Sequence, residues 1–125
     1  MATFKTQLSG GINHSPNSGQ SVPSGTISIP FEEIDQSTSR YSHQVITGAG
    51  TSDAVLAMSG LLVGAKLLMI QKPNSSNLRL EITHADGTDQ IVNVGRLMIM
   101  DTPEKPITGI KYTFTGDFEV FMAEW

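Results

Sequence analysis

The sequence predicts an all-β fold: a β-sandwich, jelly-roll-like in layout, preceded by an extended N-terminal arm. Three observations carry that expectation. Apolar residues recur with period two from Thr26 to Trp125, the spacing of a strand with one buried face. Turn-forming residues interrupt the alternation roughly every 8–12 residues, the rhythm of a sandwich. No stretch combines an amphipathic helical period with caps at both ends.

Residues 1–25 differ from the rest in composition. Ser9-Gly10-Gly11, the run from Asn13 to Ser21 and Pro23-Ser24-Gly25 bury too little apolar surface to offset the entropy of ordering them. They read as an arm that is flexible alone or becomes ordered on a partner. Phe4, Leu8, Ile12 and Val22 are its candidate protein-binding anchors, and residues 26–125 are the sandwich domain. Removing residues 2–24 is then expected to leave the melting temperature of the sandwich nearly unchanged.

Ile27, Ile29 and Phe31 open the alternation, with Pro30 placing that strand at an edge or an irregularity. Arg40 to Thr47 alternates again, Gly48 to Ser52 reads as a loop, and Asp53 to Met58 is a short apolar segment. Leu61 to Ile70 is mostly apolar, and Gly60 and Gly64 favour a strand from about Lys66. Leu78, Leu80 and Ile82 give the cleanest strand. Asp86-Gly87 suits the positive φ angles of a type I′ hairpin turn, with Gln90 to Val94 as the return strand. Leu97 to Met100 is a further strand, and Asp101 to Pro106 a loop fixed by two prolines. Ile107 to Thr115 and Phe118 onward complete the set. Leu67 to Ile70 and Leu97 to Met100 are apolar on both strand faces, so the face turned away from the core must meet more protein.

Composition removes whole classes of function. The chain has 125 residues, 8 basic against 12 acidic, for a net charge of −4. That balance speaks against nucleic acid, whose phosphates call for a basic face, and against a polybasic membrane anchor. The longest nearly apolar run is about half a membrane span, so the expected origin is the cytoplasm. With no cysteine, disulfides, thiolate metal sites and cysteine nucleophiles are excluded. His14, His43 and His84 include no close pair of the kind that fixes zinc geometry. No serine sits in a Gly-x-Ser-x-Gly elbow, and Glu32 and Glu33 face opposite ways on a strand. Gly48-Ala49-Gly50 lacks the downstream glycine and helix of a nucleotide fingerprint. No catalytic residue, metal ligand or cofactor is therefore assigned, and the expected activity is binding rather than catalysis. Carbohydrate binding is the competing expectation, with Tyr41, Tyr112 and Trp125 as stacking candidates. Trp125, the largest side chain, either closes the chain's own sandwich or packs on a neighbouring subunit.

The layout resembles the small β-sandwich virion proteins of tailed bacteriophages, the capsid decoration (cement) and head- or tail-associated proteins. The polar arm at 1–25, the strand Lys66 to Gln71, the Asp86-Gly87 hairpin, Ile107 to Tyr112 and the final Phe118 to Trp125 carry the resemblance. It implies a non-enzymatic structural role in the virion, made in the host cytoplasm. The implied partners are a capsid or tail protein of the same virion and further copies of the chain, a trimer before a dimer. No residue role carries over, because such proteins share a layout rather than a motif.

Overall fold

In the computed structural model, backbone is described for residues 4–14, 25–38, 40–47, 49–58, 60–73 and 77–125. Side-chain surroundings are described from Arg40 onward, outside 48–52, 59 and 74–76. Described secondary structure is all strand, in ten segments. Two compact units divide the chain, Met1–Ser37 and Thr38–Trp125.

The first unit holds β1 (Phe4–His14) and β2 (Gly25–Thr38), hydrogen bonded in a two-stranded sheet of their own. Strand β1 thus runs through the segment read as an arm. Strand β2, expected to open the sandwich, belongs to neither of the sandwich sheets. Phe4, Leu8, Ile12 and Val22 have side chains outside the described residues.

The second unit holds β3 (Arg40–Ile46), β4 (Ala49–Val55), β5 (Leu67–Gln71), β6 (Asn77–His84), β7 (Asp89–Asn93), β8 (Leu97–Asp101), β9 (Ile107–Thr115) and β10 (Phe118–Glu124). They form two four-stranded sheets, in the orders β3-β10-β5-β8 and β4-β9-β6-β7. The antiparallel pairings β3–β10, β4–β9, β5–β8 and β6–β7 are nested. The unit is therefore one long hairpin bent over on itself, joined into sheets by the β10–β5 and β9–β6 pairings.

Strand periodicity decides which residues meet between the sheets. Leu68, Ile70, Val120 and Met122 of the first pack against Leu80, Ile82, Ile110 and Phe114 of the second, as the core of a β-sandwich requires. Tyr112, Phe114 and Phe118 close the core with ring centroids 5.3–5.5 Å apart, a spacing favourable for edge contacts.

Two local features differ from expectation. The hairpin tip is a three-residue loop: Gly87 N–H donates to the His84 carbonyl at 2.9 Å, and His84 N–H donates to Thr88 at 2.9 Å. Gly87 has φ 85° while Asp86 does not enter the positive region, so the turn is not type I′. Asp86 instead accepts from Thr88, through its N–H at 3.1 Å and its hydroxyl at 2.6 Å. Lys105 Nζ lies 3.1 Å from its other oxygen. These donors, Thr88 foremost, hold the Asp86 carboxyl well below the usual carboxylate range. Second, β4 extends back through Ala49–Ser52, with register shifts against β9 and Asp53 at φ 51°. A bulge bends an edge strand and keeps it from templating another chain, which is how Gly48–Ser52 came to read as loop. Leu61 to Lys66 leads into β5, which begins at Leu67 as the expected strand from about Lys66 requires. A Cβ at Gly64 (φ 134°) would stand 2.6 Å from the Ile107 carbonyl oxygen.

Candidate protein-docking surface

Residues of β3, β10, β5 and β8 that point away from the core share the opposite face of their sheet. Register sets His43, Phe121, Met69 and Ile99 in one row across the four strands. Val45, Glu119, Gln71 and Leu97 form the next row, and Tyr41, Ala123, Leu67 and Asp101 the row on the other side. Eight of those twelve side chains are apolar or aromatic. Leu67 and Ala123 are buried, while Val45 is 62% and Leu97 58% exposed. Tyr41 is half exposed and stacks on Phe121 at 6.3 Å, and His43 meets the same ring edge-on at 6.5 Å.

The other sheet turns Arg79, Glu81, Asn93, Lys111 and Thr113 outward in facing register positions. Two exposed apolar residues, Val55 and Ile91, flank Lys111 and Glu81 in one row of this face. The outer face of β3-β10-β5-β8 is therefore the more apolar of the two, and that of β4-β9-β6-β7 the more polar.

Polar groups on the apolar face are tied to one another. His43 Nε2 donates to Glu119 at 3.0 Å, and Gln71 Nε2 donates to its other carboxylate oxygen at 2.5 Å. The His43 and Gln71 bonds outweigh the opposing effect of burial and lower the Glu119 pKa. Val45, Gln71, Lys72, Pro73, Arg96 and Phe118 border an open cleft of about 380 Å3 at this end of the sheet.

At the far end of β10, Glu124 is buried. Its carboxylate accepts three successive backbone N–H groups, from Leu62 at 2.8 Å, Val63 at 2.9 Å and Gly64 at 3.1 Å. Arg40 Nε lies 3.6 Å away. Burial raises the pKa of this acid, but the three amides and the Arg40 charge overcome it, and the net shift is downward. The clamp holds Leu62 and Val63 outward at 75% and 65% exposure. Sequence reasoning missed it, since a lone glutamate in the last strand carries no mark of the loop it will bind.

Among the sequence-nominated residues, Trp125 is half-buried, with Lys66 Nζ 5.8 Å from its ring centroid and donating to its carbonyl oxygen. Tyr112 is turned into the sandwich beside Phe114 and Phe118, so it offers no stacking platform. His84 is buried at the hairpin, its Nδ1 donating to the Lys105 carbonyl at 2.8 Å, far along the chain and on another sheet from His43.

No family model, curated protein or solved structure matches this chain.

Proposed function

We propose that the chain is a non-enzymatic structural protein that docks, through the outer face of β3-β10-β5-β8, in a symmetric assembly. Capsid decoration or cementing of a tailed-phage virion, with a capsid or tail protein and further copies of itself as partners, is the role that fits best. The observation that carries this reading is the outer face of β3-β10-β5-β8, apolar or aromatic at eight of twelve positions. A free-standing sandwich gains nothing from holding Val45 and Leu97 in water, whereas contiguous apolar patches mark contact surfaces. The nested pairing of eight strands in two sheets supports a jelly-roll description, an architecture used by viral capsid and lectin domains.

Magnitudes favour repetition over a single tight contact. Completing the burial of half-exposed Tyr41, Val45 and Leu97 would contribute roughly 2–4 kcal/mol, about half of the full side-chain value for each. Association costs on the order of 4–15 kcal/mol in lost freedom. One such face binds weakly, and many copies on a symmetric scaffold bind well. The test is particle occupancy: the double variant Val45→Glu/Leu97→Glu should melt like the parent yet be lost from purified particles. Full occupancy by the variant would refute docking through this face.

A further inference from the structure

The polar outer face carries a second feature, independent of the docking reading. Register aligns Asn93, Arg79 and Thr113 across β7, β6 and β9, and sets Asn77 opposite Thr115 one step along. These five residues, with Leu78, Val94 and Phe114, line an open cleft of about 350 Å3, at the lower end of the size of small-molecule sites. Leu78, Val94 and Phe114 are buried, yet most of the surface lining the cleft is still carbon, which suits the apolar face of a sugar ring. It also offers hydrogen bonding. The Thr113 hydroxyl oxygen accepts the Asp53 N–H, and that of Thr115 accepts the Asn77 N–H, both at 3.2 Å. Each hydroxyl proton is left to be donated outward, and the two carboxamides can both donate and accept. Arg79 is exposed and has no ion pair among the described residues. The neighbouring charges are Asp53, which bonds Thr113 through its N–H, Glu81, two residues along β6, and Lys111, which stands opposite Glu81.

A guanidinium with no ion pair among the described residues, beside four neutral groups that trade hydrogen bonds in both directions, suits a ligand with one carboxylate and several hydroxyls. We propose that this cleft binds an acidic sugar. The carboxylate meets the planar fork of Arg79, which matches its two oxygens, and ring hydroxyls meet Asn77, Asn93, Thr113 and Thr115. Inorganic phosphate could meet the same fork but brings no ring hydroxyls to the four neutral groups.

The test is a two-dimensional NMR titration of the full chain with glucuronate, glucose, acetate and inorganic phosphate. Glucuronate is expected to shift the side-chain amide signals of Asn77 and Asn93. Glucose and acetate should each bind about tenfold more weakly or worse, since a hydrogen bond to a charged group contributes about 1.5–3 kcal/mol. Arg79→Gln, at an exposed position, should keep the parent melting temperature and erase the preference for glucuronate over glucose. Asn93→Ala should weaken both sugars. The proposal is overturned by an absence of shifts with glucuronate, by equal binding of acetate or phosphate (a plain anion site), or by unchanged glucuronate affinity in Arg79→Gln.

Discussion

Glu124 shows how a single buried side chain can organise a stretch of backbone. A carboxylate removed from water needs its lone pairs satisfied, and three consecutive amides of the Leu62–Gly64 loop satisfy them. Replacing it by glutamine removes the charge that strengthens those bonds and turns an N–H2 toward donors. Glu124→Gln should cost about 1.5–3 kcal/mol at pH 7 in urea unfolding. The pH dependence follows from the sign of the shift. The Glu124 pKa is lower folded than unfolded, so its stabilisation is complete above the ordinary value of 4.5 and lost as pH falls through the depressed folded value. Asp86 and Glu119 shift in the same direction. Stability should hold from neutrality to about pH 5 and fall below it, with a shallower fall in Glu124→Gln. Thr102 is the converse case: its hydroxyl is buried without a hydrogen-bond partner among the described residues. Thr102→Val, which keeps the shape and deletes the orphan, should be neutral or more stable by up to about 1 kcal/mol in the same assay.

Two glycines separate conformational from steric demand at the scale of the element. Gly87 in the β6–β7 hairpin has φ 85° with nothing near an added Cβ, while Gly64 before β5 has φ 134° and a carbonyl oxygen 2.6 Å from that position. Gly87→Ala should therefore cost about 1 kcal/mol, the strain of a left-handed alanine. Gly64→Ala adds a clash with backbone that cannot yield and should cost more than twice as much by thermal denaturation. The elements also show what was legible. Leu78, Leu80 and Ile82 alternate so cleanly that β6 could be placed from sequence, and β7, β9 and β10 followed. The turn between β6 and β7 was legible as a hairpin but not by type, because Thr88 recruits Asp86 as an acceptor and takes it out of the positive-φ position. Strand β1 was hidden. Phe4, Leu8 and Ile12 stand four apart, a multiple of the strand period, but Gly10, Gly11 and the polar run beyond them dominate the composition. The apolar outer face was legible because Leu67 to Ile70 and Leu97 to Met100 have no polar alternate residue. Its continuation through Tyr41, Val45 and Phe121 was not, since it depends on β10 lying between β3 and β5.

For the whole molecule, the nested pairing joins the first strand of the second unit to its last. Among the described residues, its buried core cluster runs from Leu56 to Met122, with Ile46 packed against it. A chain lacking residues 1–37 should accordingly still unfold in one cooperative transition, and a broad, non-cooperative melt would show that the first unit is needed for the core. The central claim, that the apolar outer face meets protein while the polar face meets solvent, is tested most directly by photo-crosslinking. A benzophenone amino acid placed at Leu97 or at Val45 is compared with one at Ile91, equally exposed but on the other sheet. In native particles, positions 97 and 45 should cross-link in high yield to a capsid or tail protein or to a second copy, and position 91 should not. Cross-linking from position 91 with none from 97 or 45 would contradict the account.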